Sequence, residues 1–511
     1  MRFKTVVLGA ALLGSAAPAS AAWHESRSRH FNVYADASPE WLRAFSTKLE
    51  KFDQAVRTIR NMDDPALGES GRVTIYMLPD SNSVSKLAVG KRSSIAGFYI
   101  PRAGGSVAFV PRKAGSQDWD MSVEDTLFHE YAHHIMFQAV EDALPPWLVE
   151  GFAEFYTTAE FEKDGSVRLA LPAYHRIYGL YQLPRPKMET LLGTDSELSR
   201  TDEETEAFYG WSWVLTHYLT FADERKGQLG RYIGALRNGA EPVNAARQAF
   251  GDFDQLGRDA ERYLKRNKFK NLAVAKAAPD SASIVVRSLR RGEAAIMTQV
   301  IQSKRGVNRE TALGVAAAIR TAAATYADDP AVLRALAEAE FDAGNHEAAE
   351  KAATRTTQID PGNGKAWIYR GRAQSELENG GATDAQWERI RSNFLRANAA
   401  DKEDAEPLWL YYESFGSAGQ KATRNAIDGL DYALVLAPQD PNLRVATVVQ
   451  RINDKRLSEA REAIAPLAYS PHPGPSRNRA RKALAALDAK DANGALEALT
   501  TRVSNEPATS D

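Results

Sequence analysis

His129-Glu130-Tyr131-Ala132-His133 constrains this chain more tightly than any other stretch. Two imidazoles four residues apart reach a single ion only if the segment is helical, because positions i and i+4 share one helix face. Ser122-Val123-Glu124-Asp125 supplies the form of a capping box ahead of it, and Phe128, Ala132, Ile135, Met136 and Ala139 give the helix an apolar stripe. Seventeen positions after His133 comes Glu150, in Trp147-Leu148-Val149-Glu150-Gly151-Phe152-Ala153-Glu154. Pro145-Pro146 opens that second helix, expected from Trp147 to about Phe161.

The absence of cysteine excludes disulfides, thiol catalysis and cysteine-ligated zinc, so any metal must be held by His, Asp or Glu. A catalytic zinc site takes three protein ligands and keeps one position open, and two histidines with a glutamate form one such set. His129, His133 and Glu150 are the expected ligands of one Zn2+ per chain. Glu154, one turn beyond Glu150, is placed to accept a hydrogen bond from a ligand histidine and fix its tautomer. Glu130 is offset around the helix and can approach a water without ligating. Among rival readings, His134 at i+5 turns away from the metal face. Glu141-Asp142 follows the first helix too soon to replace Glu150 easily. His24, His30, His175, His217 and His346 read as packing histidines, and Trp211, Trp213 and Tyr218 as core.

His129-Glu130-x-x-His133 followed by Glu150-Gly-Phe-Ala-Glu154 resembles the gluzincin metallopeptidases, which include thermolysin and the aminopeptidase N group. The Glu-Gly-Phe-Ala stretch is nearest the latter. The resemblance implies a zincin-like α+β catalytic domain over about residues 23–268, acting on a peptide or protein substrate. It also implies a tyrosine beyond the third ligand that steadies the oxyanion. Ala207-Phe208-Tyr209-Gly210-Trp211 matches that stretch, so Tyr209 takes this role, with a packing tyrosine as the plain alternative. In the implied mechanism zinc polarises the scissile carbonyl, and Glu130 takes a proton from the zinc-activated water and returns it to the leaving amine. Two departures bear on specificity. The gap from His133 to Glu150 is slightly shorter than in the aminopeptidase branch. No Gly-x-Met-Glu-Asn stretch precedes the helix; Gly104-Gly105-Ser106-Val107-Ala108 stands there, which favours endopeptidase action or an unfamiliar specificity over aminopeptidase action. Strand Val107–Val110 is expected to receive the substrate backbone by strand addition.

The remaining chain sorts into further units, as 511 residues exceed a single core. Arg2, Lys4, the apolar run Val6–Leu13 and Ala19-Ser20-Ala21-Ala22 read as a signal peptide over residues 1–22, so the chain is expected to be exported to a bacterial periplasm or exterior. No later segment approaches the ~20 apolar residues of a membrane helix. A net charge of −2 gives no reason to expect nucleic acid, and Arg290-Arg291 and Lys304-Arg305 are too short for a basic patch. Strands are expected at His30–Tyr34 and Arg72–Leu78, a helix at Ser38–Met62, and a hairpin from Phe98–Ile100 to Val107–Val110. A third helix is expected from about Glu204 to Phe221, with helices continuing to about Lys268 and a connecting stretch over 269–308. From 309 to 503 an all-α array resembles degenerate tetratricopeptide repeats. With Pro330 opening a 34-residue unit, Leu333, Ala337, Ala349 and Pro361 take the large, small, small and proline positions, and Trp367 and Gly371 begin the next. Asp440-Pro441 is expected to close a later unit, and the tail 504–511 to fray. Such an array suits a protein partner. The alternative to a zinc peptidase is a non-catalytic periplasmic scaffold carrying an inactive zincin-like domain.

Overall fold

The computed structural model describes residues 23–500 apart from 66, 91–96, 114–120, 140–143, 194–200, 267, 276–282, 379–380 and 471–474. The expected leader, the polar tail and Glu141-Asp142 lie outside the described residues. Nine strands are described: β1 (Trp23–Arg27), β2 (Phe31–Asp36), β3 (Val73–Leu78), β4 (Phe98–Ile100), β5 (Val107–Pro111), β6 (Glu160–Phe161), β7 (Val167–Leu169), β8 (Leu272–Val274) and β9 (Val285–Ser288). Six make a mixed sheet in the order β4-β5-β3-β2-β1-β9, and β6-β7-β8 make a small antiparallel one. Strands β2, β3 and β5 run parallel, while β4 returns antiparallel along β5 as the expected hairpin. Residues 269–308 are more than a connection, since β8 completes the small sheet and β9 pairs with β1.

The central strands are buried on both faces, which is why Val107-Ala108-Phe109-Val110 is continuously apolar. One face sends Val73, Ile75, Met77, Ala108 and Val110 into the main core. There they meet α1 (Pro39–Arg60), which Ser38 caps by accepting from the Trp41 N–H at 3.2 Å and which Asn61 ends in the left-handed region. The other face sends Tyr76, Leu78, Val107 and Phe109 into a second cluster with Val84 of α2 (Ser81–Val89).

Under the main face lies α3 (Val123–Ala139), started by the expected reciprocal bonds between Ser122 and Asp125, both 3.0 Å. Its neighbour α4 (Pro146–Thr157) stops short of Phe161. Glu160–Phe161 instead pairs with Val167–Arg168 around an Asp164-Gly165 turn, so the ladder captures the residues that helical periodicity had claimed. Short α5 (Ile177–Tyr181) and α6 (Met188–Leu192) lead to α7 (Asp202–Phe221), and α8 (Gln228–Arg237), α9 (Pro242–Phe250) and α10 (Phe253–Leu264) complete the region. Helices α4 and α7 cross closely at Gly151: a Cβ there would stand 2.7 Å from the Ser212 carbonyl oxygen and nearer still to Thr216 Oγ1.

The rest is all helix: six consecutive hairpins among the described residues, α11 (Arg291–Arg305) with α12 (Arg309–Thr325), α13 (Pro330–Asp342) with α14 (His346–Ile359), α15 (Gly364–Glu378) with α16 (Asp384–Ala400), α17 (Ala405–Ser417) with α18 (Arg424–Leu436), α19 (Pro441–Asn453) with α20 (Leu457–Ala468), and α21 (Pro475–Asp488) with α22 (Ala492–Thr500). Leu333, Ala337, Ala349 and Trp367 are buried where the repeat pattern placed them, and a Cβ on Gly371 would come 2.7 Å from the Phe394 ring. Asp440-Pro441 opens a hairpin rather than closing one, because Asp440 caps α19. The first helix of the array doubles as a layer of the α+β region, since Met297 and Ile301 of α11 join Tyr76 and Phe109. A chain stopped after Leu289 keeps every strand but bares that face. It should lose its cooperative thermal transition and bind a hydrophobic dye; a sharply melting, dye-silent product would contradict this packing.

Candidate metal centre

Helices α3 and α4 bring the two halves of the motif to one point. His129 Nε2 and His133 Nε2 stand 3.2 Å apart, and Glu150 Oε2 lies 3.2 Å from the first and 3.5 Å from the second. A tetrahedral ion with bonds of about 2.0–2.1 Å holds neighbouring donor atoms about 3.3 Å apart. The three donors therefore fit a zinc-sized ion. They are the one group of three or more such ligands within mutual reach among the described residues, and all three are buried.

Their charge state fits the same reading. Glu150 is 1 % exposed, and neither carboxylate oxygen receives a hydrogen bond of acceptable geometry, although His129 Nε2 is close. Burial opposes its charge, yet His133 and His129 hold it far below the usual carboxylate range. Burial likewise works against an imidazolium at His129, but Glu150 and Glu154 outweigh it and lift that pKa to about 10. Without a metal, that shift favours a proton on His129. Binding must expel it.

Glu154 anchors the other side of His129. Its Oε1 lies 3.3 Å from His129 Nδ1, while Thr157 Oγ1 approaches the same nitrogen at 3.4 Å. Glu154 is wholly buried, and it accepts from Arg176 Nη2 at 2.7 Å and meets His175 Nε2 at 2.8 Å. Burial disfavours its charge, and Arg176, His129 and His175 together drive its pKa well below the normal range. Arg176 continues outward to both Glu206 oxygens at 3.1 Å. His175 is thus no packing histidine. It, Arg176 and Glu206 escaped the sequence reading because they converge from separate segments and carry no motif. The adjacent His175-Arg176 pair was the only signal.

Tyr209 is brought to the centre by α7: its ring meets the His129 ring edge-on at 5.9 Å, and the Arg176 guanidinium lies 4.8 Å from its centroid. Burial, then Glu150, raises its phenol well above the ordinary value, so it keeps a proton to donate. Glu130 is half-buried, with no ion pair or hydrogen bond among the described residues. His134 turns away as expected. Its Nδ1 meets the Tyr99 hydroxyl at 2.8 Å, and burial lowers its pKa to about 3. His217 is satisfied by Tyr263 and two carbonyl oxygens. One expectation fails. Strand β5 is paired on both sides, so it offers no edge to a substrate; the sheet edge beside α3 is β4.

No family model matches the chain, and no curated protein matches it. Among solved structures, a thermophilic TPR protein of Thermus thermophilus is similar at 20% identity and a TM-score of 0.31, covering 38% of this chain and 99% of that one. A MamA fragment from Desulfovibrio magneticus RS-1 is similar at 14% identity and a TM-score of 0.27, covering 34% and 90%.

Two outcomes follow, one from the charge state at His129 and one from the orienting contact of Glu154. Zinc affinity should rise about tenfold per pH unit from about pH 7 to about pH 9, one proton leaving per ion; a flat profile would contradict the protonated histidine. Glu154→Gln should weaken zinc about 10–100-fold in competition with a chelator, and an unchanged affinity would remove Glu154 from the site.

Proposed function

We propose that this chain is an exported zinc-dependent peptidase of the gluzincin type, its α+β region zincin-like, with His129, His133 and Glu150 holding one Zn2+. The observation that carries the reading is the buried Glu150 carboxylate within 3.5 Å of both imidazole Nε2 atoms, at distances that suit shared ligation and with neither oxygen in a hydrogen bond of acceptable geometry. A zinc ion there would supply Lewis-acid polarisation of a carbonyl and lower the pKa of a water toward about 7. The chain's own groups do the rest. Glu130 takes the proton of the attacking water and delivers it to the departing amine nitrogen. Tyr209 donates its retained proton as a hydrogen bond to the oxyanion. Glu154 keeps the His129 ring oriented with Nε2 toward the ion. The substrate backbone pairs with the free edge of β4.

Export is supported by the basic-apolar-small pattern of residues 1–22 and by the absence of cysteine. No helix among the described residues is long and apolar enough to cross a membrane. A second reading, a scaffold with an inactive metal domain, is favoured by the helical hairpins that fill residues 291–500, since stacked pairs offer surfaces for protein partners.

Exposure of the zinc-loaded chain and its Glu130→Gln variant to a peptide library separates the two. The peptidase reading expects cleavage by the parent and a loss of about 10²–10⁴-fold in the variant at equal zinc content. Equal activity in both would sink the role of Glu130, and a zinc-loaded parent that cleaves nothing would leave the scaffold.

A further inference from the structure

The loop joining β4 to β5 is not free. Ala103 and Ser106 are buried, and their partners come from the far end of the chain. The Ala103 N–H donates to Asp440 Oδ2 at 2.6 Å, and Gln439 Nε2 donates to Ser106 Oγ at 3.3 Å. Ala103 joins the apolar core formed by the last three hairpins of the array. Gly104 lies against Lys365, which pairs with Asp404 at 3.1 Å and Glu406 at 2.6 Å; a Cβ on Gly104 would stand 3.0 Å from Lys365 Nζ and collide with Glu406. Gly105 takes a φ of +115°, closed to most side chains. The neighbouring turn is held too, with the Glu69 N–H donating to Asp401 Oδ2 at 2.7 Å, and Arg305 of α11 donates to the Leu87 carbonyl at 2.9 Å.

These partners share a position. Met297 and Ile301 of α11, Lys365 of α15, Glu406 of α17 and the cap of α19 all belong to the first helix of a hairpin, so one face of the array runs along β4–β5. At its other side the same strand touches α3, where the Tyr99 hydroxyl meets His134 Nδ1, next in sequence to the ligand His133. The edge strand therefore lies between the array and the metal helix.

We propose that the helical array acts in cis as a clamp on the β4–β5 loop, with Asp440 as the positioning residue that fixes the β4 edge at the register a substrate backbone would pair with. The consequence for substrate rests on the peptidase reading; the clamp itself does not. On this account the face formed by the first helices serves the chain's own loop, and an outside partner must use another face or displace the loop. Asp440 links both tasks in one carboxylate, Oδ1 capping α19 through the Asn442 and Leu443 N–H groups at 2.8 and 2.9 Å and Oδ2 gripping Ala103.

Asp440→Asn separates the two tasks, since an amide has one acceptor oxygen for the cap and presents NH2 to Ala103. Gly104→Val tests the same contact by steric expulsion. Hydrogen exchange on the full-length variants should show the amides of Phe98–Ile100 and Val107–Val110 exchanging about tenfold faster. Exchange in α3 and the zinc content should stay at parental values. For a peptide that the parent cleaves, KM should rise while kcat holds. Unchanged exchange of the β4–β5 amides in Asp440→Asn would overturn the clamp, as would equal acceleration across α3, which would mark general loosening. If the parent cleaves nothing, the exchange result still decides the clamp while the peptidase reading falls separately.

Discussion

The candidate metal centre turns on the burial of one carboxylate, Glu150. An ionised glutamate taken out of water without a donor costs several kcal/mol unless a cation answers it, and Glu150 has only the two imidazoles facing it. The two carboxylates beside His129 raise its pKa to about 10, which favours a proton there in the absence of an ion. A divalent ion would supply more positive charge from the same place, with donors already at the spacing of a tetrahedral site. The surrounding helices keep this arrangement buried. Gly151 lets α4 lie almost against the α7 backbone, and the Glu154–Arg176–Glu206 chain locks the outer side.

How far the sequence carried this reading depended on the range of each interaction. The candidate ligands His129 and His133 are visible because a helix turn is a local fact, and Glu150 and Glu154 because they repeat it one helix later. The capping box at Ser122 and the hairpin around Gly104-Gly105 were visible for the same reason. Strand order was not. A short apolar run after a glycine-containing loop marks β5 as a strand, but nothing local says that it pairs on both sides and leaves β4 at the edge. His175 and Arg176 look like any polar pair until the fold sets them beside Glu154. The bond from Ala103 to Asp440 spans 337 residues, beyond any pattern a window can hold.

The array was read correctly as helical hairpins, yet its place in the molecule was not. A repeat region is ordinarily self-contained, each pair resting on its neighbours. Here α11 is shared, covering Tyr76 and Phe109 on the sheet while starting the stack. That sharing explains why the sequence predicts only a connecting stretch over residues 269–308: short strands and a helix that complete other units carry little periodicity of their own. It also joins the two regions at strand β4, which packs against α11 on one side and meets α3 through Tyr99 and His134 on the other.

The most direct test is the zinc-to-protein ratio of the purified, folded chain, measured beside a Glu150→Ala variant. The account predicts close to one zinc per chain in the parent, and its loss or severe weakening in the variant with the fold retained. A parent that takes up no zinc even when it is supplied in excess, or a variant that binds as tightly as the parent, would contradict it.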